Sequence, residues 1–367
     1  MVCFWRRVAA VIAGGVTLFA SGKVTAQEDH AASRRLGGVT FLLPSLGDSA
    51  FVLTELGFRQ GVAYEQVARF PVGAFSTYTL SWAALSEQID FSLRLTRWLG
   101  VFVEGQGAGT IGLDMPSLVF SPDGGYSYGG RAGVAIRVVR AERTRTQVVL
   151  RSYGAATSGR TLDLLGLFGA VSVRTARDLL QIVSQTHDIA QLPAAVRNEL
   201  YAVADTDYTN IALERTGSWT LGSSLSVAQA IIGPLTLQES LAVERAQGRD
   251  VPFDPTLQDY VTLHSQDISF LFDGVLSADF ISWGIPVGVS AEYAATKTYR
   301  TIEGASVYVP SSQNLGGGLF YTGRRGLEVG ATAFTTRNLK PLPGFETTAM
   351  SDKPVGYTGY LVLRVLW

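Results

Sequence analysis

Hydrophobic and polar residues alternate with a period of two along much of the chain. Residues 88–96 show the pattern clearly, with Ile, Phe, Leu and Leu at odd positions and Gln, Asp, Ser, Arg and Thr at even ones. The same alternation returns in residues 128–140, 286–298 and 326–337. A period of two predicts β-strands with one apolar and one mainly polar face, rather than helices.

Turn signals between the alternating runs divide the chain into twelve predicted strands. These strands are residues 76–85, 88–96, 101–111, 128–140, 147–156, 216–230, 233–246, 264–281, 286–298, 312–322, 326–337 and 355–367. Residues 39–43 and 51–64 hold two further runs, so fourteen strands are the main alternative. An even number of strands places both chain ends on the same side of a closed antiparallel sheet.

The connections between the predicted strands are alternately short and long. The short ones lie near residues 97–100, 141–146, 231–234, 282–286 and 323–326, and the long ones near 112–127, 157–215, 248–263, 299–312 and 338–354. One connection, at Ser86 and Glu87, is tight where a long loop is expected. This sorting is typical of bacterial outer-membrane barrels, whose tight turns face the periplasm, and it predicts an all-β, closed antiparallel transmembrane barrel.

The C-terminal residues add the most specific local signal. Leu361, Leu363, Val365 and the terminal Trp367 share one face of the last predicted strand, and Arg364 lies on the other. This pattern resembles the C-terminal assembly signal of outer-membrane β-barrel proteins, in which the last strand alternates apolar residues and ends in an aromatic one. The resemblance covers the final strand only, and it implies insertion into the bacterial outer membrane by the barrel assembly machinery.

The first 26 residues have the layout of an export signal. Arg6 and Arg7 form a basic region, residues 8–20 an apolar core too short to span a bilayer, and residues 24–26 a small-residue cleavage site. Removal of residues 1–26 also removes Cys3, the one cysteine of the chain. The mature protein is therefore predicted to form no disulfide and to use no cysteine nucleophile.

Two regions do not have the pattern of barrel wall. Residues 27–75 are predicted to form an N-terminal periplasmic segment or hatch, and residues 76–367 the barrel. Within the barrel, the 157–215 insertion contains a capping-box pattern at residues 175–178 and helical spacing of apolar residues at 196–203. This predicted helical loop would cap the barrel mouth if it lies outside, or narrow the lumen if it folds inward.

Composition excludes several other classes. Charged residues make up 17% of the 367 residues, the formal net charge is −1, and mean hydropathy is +0.20. These values argue against a disordered chain and against nucleic-acid binding. No later run reaches the ~18 apolar residues of a membrane helix; the nearest, residues 162–173, is interrupted by Asp163.

The polar face of the predicted strands should line the lumen, so the charges of the interior can be mapped. The pore-lining residues predicted in this way are Asp90, Arg94, Glu104, Arg131, Arg137, Arg151, Glu244, Asp267, Asp273, Asp279, Glu292, Glu328 and Arg364. Arginines prevail in the early strands and carboxylates in the later ones. A basic wall opposite an acidic wall gives an electric field across the lumen. The lumen of general diffusion porins is similar in this respect.

Two interpretations of this charge map remain open. The charges either line an open pore, or pair across a narrow interior and satisfy one another. Glu239 departs from the pattern because it falls on the predicted lipid face, so a bulge or a rim position is expected there. Trp98, Trp283 and Trp367 fall at the predicted periplasmic rim and are predicted membrane-interface residues.

Catalytic and cofactor signals are weak. His264 precedes Ser265, but adjacent residues of a strand point to opposite faces and cannot readily form a nucleophile–base hydrogen bond. The sequence has no metal-ligand spacing, P-loop or dinucleotide fingerprint. We therefore predict a protein that is not an enzyme and has no cofactor and no metal.

Three function classes remain, and the leading one is an outer-membrane channel for small polar solutes or ions. The second is a transporter of hydrophobic molecules, because a barrel preceded by a possible hatch resembles the long-chain fatty acid transporter family in general plan, without a matching residue motif. The third is a structural barrel that uses its large loop for docking. The predicted partners are outer-membrane lipids and, during biogenesis, the assembly machinery; the oligomeric state stays open.

Overall fold

A computed structural model gives the architecture of the chain. It describes residues 34–72, 76–114, 117, 125–162, 213–251, 253–254, 259–302, 305–308, 311–324, 326–339 and 353–367. The predicted export signal and residues 27–33 lie outside these ranges, as do residues 163–212. No helix in the described part of the chain is long and apolar enough to cross a membrane.

Twelve long antiparallel strands form the wall in the described residues. They are β1 (Glu55–Val72), β2 (Ser76–Arg94), β3 (Leu99–Gly112), β4 (Gly125–Ala141), β5 (Thr146–Leu162), β6 (Leu213–Ile232), β7 (Leu235–Val251), β8 (Leu263–Asp279), β9 (Val287–Ile302), β10 (Ser311–Tyr321), β11 (Leu327–Asn338) and β12 (Val355–Leu366). Each strand pairs with its neighbours in sequence, and β12 pairs with β1, which closes the sheet. The predicted closed barrel of twelve strands is confirmed.

The first two wall strands differ from the prediction. No turn occurs at Ser86 and Glu87, because β2 continues through them with unbroken pairing to β1 and β3. The missing strand is β1, which lies in the predicted N-terminal segment, so the barrel begins at Glu55 and not at residue 76. β12 therefore closes against β1, where the prediction paired it with the strand that starts at residue 76.

The alternation of side chains follows the closed wall. In β12, Leu361 and Leu363 are 64% and 42% exposed on the outer surface, whereas Val362 and Arg364 are 2% and 5% exposed inside. Exposed apolar side chains continue around the outer surface, for example Leu241 on β7 and Leu319 on β10. Because a closed sheet leaves no unpaired edge and this surface is apolar, the wall can stand in hydrocarbon.

The connections are sorted between the two ends of the barrel. Residues 95–98, 142–145, 233–234, 280–286 and 322–326 make the turns of one end, which we call the tight-turn end. Both ends of the wall sequence meet there, since Trp367 N–H donates to Thr54 O at 3.1 Å. The other end, called the long-loop end, has the longer connections and also the short link between β1 and β2.

Two further predictions are revised by the strand bounds. β5 extends to Leu162 and β6 begins at Leu213, so both edges of the predicted 157–215 insertion are barrel wall. Its predicted helices lie outside the described residues. Glu239 is exposed on the outer face in regular register with Val227 and Gly274, so the expected bulge is not found there. It is the fifth residue of β7, counted from the tight-turn end.

Candidate functional site: a plugged lumen

The N-terminal residues 34–54, called the plug segment, occupy the tight-turn half of the lumen. A short hairpin, Arg35–Leu36 paired with Val39–Thr40, lies at the mouth. Gly37 N–H donates to Glu142 in the β4–β5 turn at 2.9 Å, and Arg140 donates to the carbonyl of Arg35 at 3.0 Å. The chain then enters the barrel and returns to its rim at Thr54, where β1 begins.

Apolar side chains of the plug segment form the core of the molecule. Phe41 and Phe51 pack with ring centroids 5.1 Å apart. Their cluster consists of Leu36, Phe41, Leu43, Ala50, Phe51 and Leu53 of the plug segment and Ala228, Ala230 and Leu366 of the wall. Val52 packs with Phe102 and Val149 in a second cluster. This packing removes large apolar side chains from water and fixes the segment against several strands.

The part of the plug segment that enters the lumen, called the inward limb, includes Leu43 and Pro44 and is held by a buried arginine of β12. Arg364 donates to the carbonyl of Leu43 at 3.0 Å and to that of Pro44, and it pairs with Glu328 of β11 at 2.5 Å. Arg34 of the plug segment pairs with the other oxygen of Glu328. Glu328 is fully buried, so its charge needs both cations.

The deepest part of the plug segment contacts a carboxylate of β9. The backbone N–H groups of Ser45 and Leu46 donate to Glu292 at 2.9 and 2.6 Å. Arg59 of β1 donates to the carbonyl of Ser45. The next residue is Gly47, where a Cβ atom would collide with the side chain of Asp273 on β8. Glycine therefore allows the backbone of the plug segment to approach the wall closely.

The part of the plug segment that returns toward the rim, called the outward limb, includes Asp48 and Ser49 and contacts β4, β5 and β6. Asp48 accepts from Arg131 at 2.8 Å and from the Ser224 hydroxyl at 2.5 Å. Arg151 donates to the carbonyl of Ser49 at 3.1 Å.

Two glutamines of the wall complete the contacts of the plug segment. Gln147 of β5 donates to the carbonyl of Ala50 at 2.6 Å. Gln238 of β7 bridges the two limbs, because it donates to the carbonyl of Leu42 at 2.5 Å and accepts from the N–H of Ala50 at 3.4 Å. The plug segment thus bonds to strands on opposite sides of the lumen, β4 to β7 on one side and β9, β11, β12 and β1 on the other.

Two carboxylates outside the wall strands have pKa values that fit these contacts. Burial alone would raise the pKa of Asp48, but the Arg131 and Arg151 cations and the Ser224 hydroxyl hold it below its ordinary value. The Gly37 N–H and Arg140 likewise hold the pKa of Glu142 below its ordinary value, against a smaller effect of burial. Both groups are charged at neutral pH and anchor the plug segment in that form.

Most of the predicted pore-lining charges face the lumen in pairs with neighbouring strands. Arg131 pairs with Glu104 at 2.5 Å as well as with Asp48. Asp90 pairs with Arg59 and Asp267 with Arg300, whereas Glu244 and Asp279 accept hydrogen bonds from the hydroxyls of Tyr153 and Thr322. Acidic and basic groups therefore meet locally, which differs from two facing walls of opposite charge.

The remaining predicted residues lie close to the tight-turn end. The Arg94 N–H donates to the Thr54 hydroxyl at 3.1 Å, and Arg137 N–H donates to the Trp98 carbonyl at 2.7 Å. Trp98, Trp283 and Trp367 are 51%, 64% and 37% exposed in this region of the molecule. Their role at the membrane interface stays a prediction.

The sequence analysis missed the residues that join the wall to the plug segment. Arg34, Asp48 and Arg59 fall in the region taken as a periplasmic segment, and Gln147 and Gln238 are uncharged. An available signal was the polar residue pair Ser45 and Asp48 inside a strongly apolar run, since buried polar groups require partners.

The long-loop half of the lumen holds an open cavity of about 320 Å³. Its lining includes Ala63, Glu65, Trp82, Ala84, Ala108, Thr110, Ser127, Thr161 and Thr216. One side, on β1 to β3, is mainly apolar, whereas β4 to β6 contribute hydroxyl groups. Gln106 is the next inward-facing residue of β3 after Glu104. It is exposed and marks where the cavity begins.

Catalytic groups do not converge in the described residues. His264 is exposed on the outer surface and Ser265 is buried inside, as the alternation of a strand requires. Within the same residues, no cluster of three or more His, Cys, Asp or Glu side chains could hold a metal ion.

Comparison with known proteins finds similarity in structure only. No family model matches the sequence, and no curated protein matches it. The translocator domain of autotransporter NalP from Neisseria meningitidis is 6% identical, with 85% of this chain and 88% of that chain covered and a TM-score of 0.45. An outer membrane channel from Pseudomonas putida F1 is 8% identical over 89% and 100% of the two chains, with a TM-score of 0.43.

A third similar structure is a deltaS2 mutant of TodX, a monoaromatic hydrocarbon channel. It is 8% identical, covers 86% of this chain and 90% of that chain, and has a TM-score of 0.39. This chain's own closed wall, exposed apolar surface and sorted turns give it the architecture of a bacterial outer-membrane β-barrel.

Proposed function

We propose that the protein is an outer-membrane channel that the plug segment closes from the tight-turn side. The observation that supports this most is the division of the lumen. Its tight-turn half is filled by residues 41–54, whereas an open cavity lies between the described residues of the long-loop half. In the expected orientation, a solute can enter from outside and is stopped by the plug segment before it reaches the periplasm.

The chemistry of the contacts favours a removable plug over a permanent filling. The interior of a small barrel can be filled by side chains of its own wall. Here Arg151, Arg364 and Gln147 instead bond to carbonyl groups of a separate segment. Water can replace those carbonyls when the segment leaves, so withdrawal does not strand buried charges in a dry interior.

The proposed solutes are small polar molecules or ions. After withdrawal of the plug segment, Arg131, Arg151, Glu292 and Arg364 would face water and line the pore together with the other predicted residues. Polar groups at a constriction select solutes by charge and hydrogen bonding. The same side chains would then form pairs in the closed form and line the pore in the open form.

A transporter of hydrophobic molecules is the second candidate, and one observation favours it. Leu80, Trp82 and Ala84 point into the long-loop half of the lumen, with Val67 of β1 buried in the same region. An apolar wall there would hold an apolar solute. Solute uptake distinguishes the two: proteoliposomes with the plug segment removed should swell in a small sugar under the first candidate, and should accept only apolar probes under the second.

The test of the channel itself is single-channel conductance in a planar bilayer. Refolded full-length protein is compared with a variant that lacks residues 34–53, after a gel shift between heated and unheated samples shows that both are folded. We expect rare, brief openings from the full chain and stable conductance from the deletion variant. A folded deletion variant that stays silent would contradict the channel proposal and favour a structural or docking barrel.

A second variant keeps the test valid if the deletion variant does not fold. Asp48→Asn removes the charge that Arg131 and Arg151 hold, without changing any wall strand. The expected result is more frequent openings than in the unaltered protein. Glu239→Gln, which removes one carboxylate charge from the exposed outer face of β7, serves as the control and should leave the opening frequency unchanged.

A further inference from the structure

The tight-turn mouth of the lumen is strongly basic on the side of β2 to β5. The charged residues described at this side of the mouth, called the basic mouth, are Arg35, Arg94, Arg97, Arg137, Arg140, Glu142, Arg143 and Arg145. Glu142, the one carboxylate of this group, already accepts from Arg140 and from the Gly37 N–H. Charges of one sign around a concave mouth raise the local concentration of ions of the opposite sign.

Arg137 is a cation of the basic mouth that has no acidic partner among the described residues. It occupies an inward-facing position of β4, opposite the buried Val149 of β5. Its Nε and Nη2 atoms are buried and have no hydrogen-bond partner in the described part of the chain, which leaves Nη1 as the nitrogen that solvent can reach. A guanidinium cannot lose its proton, so its partial burial is costly without an anion beside it.

The charged neighbours of Arg137 add to this cost. Arg140 and Arg94 each repel its guanidinium more strongly than Glu142 attracts it. Arg94 lies at an inward-facing position of β2, and its backbone N–H donates to the Thr54 hydroxyl. Within the described ranges, the Arg94 side chain also has no acidic partner. Two inward guanidinium groups at one mouth therefore need an anion.

The carboxylates of β1 and β2 in this half of the lumen do not supply that anion. Glu55 of β1 is attracted by Arg364 and Arg151. Asp90 of β2 pairs with Arg59. Their cations come from the wall around the plug segment, so neither carboxylate neutralises the basic mouth.

Arg94 and Arg137 can contact the same ion, because they lie on either side of β3. Arg94 is opposite Gly100, and Gly100 is opposite Ala135, which is two positions from Arg137. Two strand spacings place the backbones of β2 and β4 about 10 Å apart, a gap that two arginine side chains can close from both sides. A Cβ atom at Gly100 would collide with Val52 of the plug segment. Val52 therefore forms an apolar floor between the two arginines.

We propose that the basic mouth binds the phosphate group of a soluble molecule between Arg94 and Arg137. Phosphate oxygens point in several directions and can accept from guanidinium groups that approach from different strands, whereas the two oxygens of a carboxylate share one plane. Both arginines are on the lumen side of the wall, which separates them from the lipid headgroups around the barrel. The ligand is inorganic phosphate or a small phosphate ester, which share this group. The proposal is independent of channel activity, because the site is present with the plug segment in place.

The test measures phosphate binding to the folded full chain in detergent micelles by isothermal titration calorimetry. The probes are inorganic phosphate and glycerol 3-phosphate at neutral pH, with sodium chloride holding the ionic strength constant. The variant Arg94→Gln/Arg137→Gln is compared with Arg215→Gln/Arg249→Gln, which removes the same charge from exposed positions near the long-loop end. A heated-versus-unheated gel shift shows that each variant is folded.

The unaltered protein should bind at least one of the two probes, and the tighter probe identifies the source of the phosphate group. We expect the Arg94→Gln/Arg137→Gln variant to lose roughly tenfold or more in affinity and the control variant to bind like the unaltered protein. Absence of binding for both probes, or unchanged affinity in the Arg94→Gln/Arg137→Gln variant, would overturn the proposal. Arg137→Gln alone, with a smaller loss in the same direction, replaces the double variant if that one does not fold.

Discussion

At the residue scale, a small number of charged side chains hold the plug segment. Arg364 and Arg151 donate to carbonyl groups on its two limbs, and Glu292 accepts from N–H groups at its deepest part. Hydrogen bonds with one charged partner contribute more than neutral ones, and a buried charge left without a partner is costly. These contacts favour the closed form while leaving each wall residue able to bind water.

Asp48 makes the closed form sensitive to acid. Its pKa is lower in the docked segment than the ordinary value of 3.8 that it has when released. A lowered pKa stabilises docking at all pH values above 3.8, and that contribution disappears as pH falls from there through the docked pKa. We therefore expect the opening frequency in a planar bilayer to rise steeply as pH falls below 3.8.

The matched variant for this prediction is Asp48→Asn, which cannot ionise. It should open more often at neutral pH and should lack the acid-dependent increase that Asp48 causes. If Asp48→Asn and the unaltered protein rise in parallel as pH falls, the sensitivity belongs to another carboxylate and the prediction fails.

At the element scale, β2 shows why a correct strand count can arise from incorrect boundaries. Its apolar residues change faces along its length: Leu80 and Trp82 point inward, whereas Leu85 and Ile89 point outward. From alternation alone, this change of the apolar face predicts two strands joined by a turn near Ser86. The change is possible because the long-loop half of the lumen has an apolar side, whereas the inward residues of β2 in the tight-turn half have polar partners. Asp90 pairs with Arg59, Gln88 donates to Glu104, and the Arg94 N–H donates to the Thr54 hydroxyl.

The continuity of β2 can be tested with proline. Ser86 pairs with Gly61 on one side and Ala108 on the other. Ser86→Pro removes a backbone donor in the middle of the wall, so it should lower the free energy of unfolding by at least about 1 kcal/mol relative to Ser86→Ala. Urea unfolding followed by tryptophan fluorescence gives the comparison, and equal stability of the two variants would indicate a turn.

The limits of sequence-based prediction follow from the same elements. Most wall strands were predictable because alternation, turns and the terminal Trp367 are local patterns. The position of residues 41–54 was not, because their partners are distant in sequence: Leu43 and Arg364 are 321 positions apart. The run also lacks a period of two, since both limbs are surrounded by wall on every side. Inward charges were predictable, but their pairing with this segment was not.

At the scale of the whole molecule, the two halves of the lumen have different contents. The tight-turn half contains the hydrophobic core and the buried charges, whereas the described residues of the long-loop half line an open cavity. Stability and closure therefore come from the same segment. Under the proposed function, the barrel conducts only when the plug segment moves, and the wall can remain intact because its strand pairing does not include residues 34–54.

The most direct measurement of this claim uses a reversible tether. The Ser224 hydroxyl donates to the Asp48 carboxylate at 2.5 Å, so the variant Asp48→Cys/Ser224→Cys places two thiols on facing parts of plug segment and wall. The protein is refolded without the predicted export signal and its Cys3, and mass spectrometry under non-reducing conditions verifies the disulfide before recording. Single-channel conductance is recorded from the oxidised protein and again after reduction of the same membrane. We expect no openings in the oxidised form and frequent openings after reduction; equal conductance before and after reduction would contradict closure by this segment.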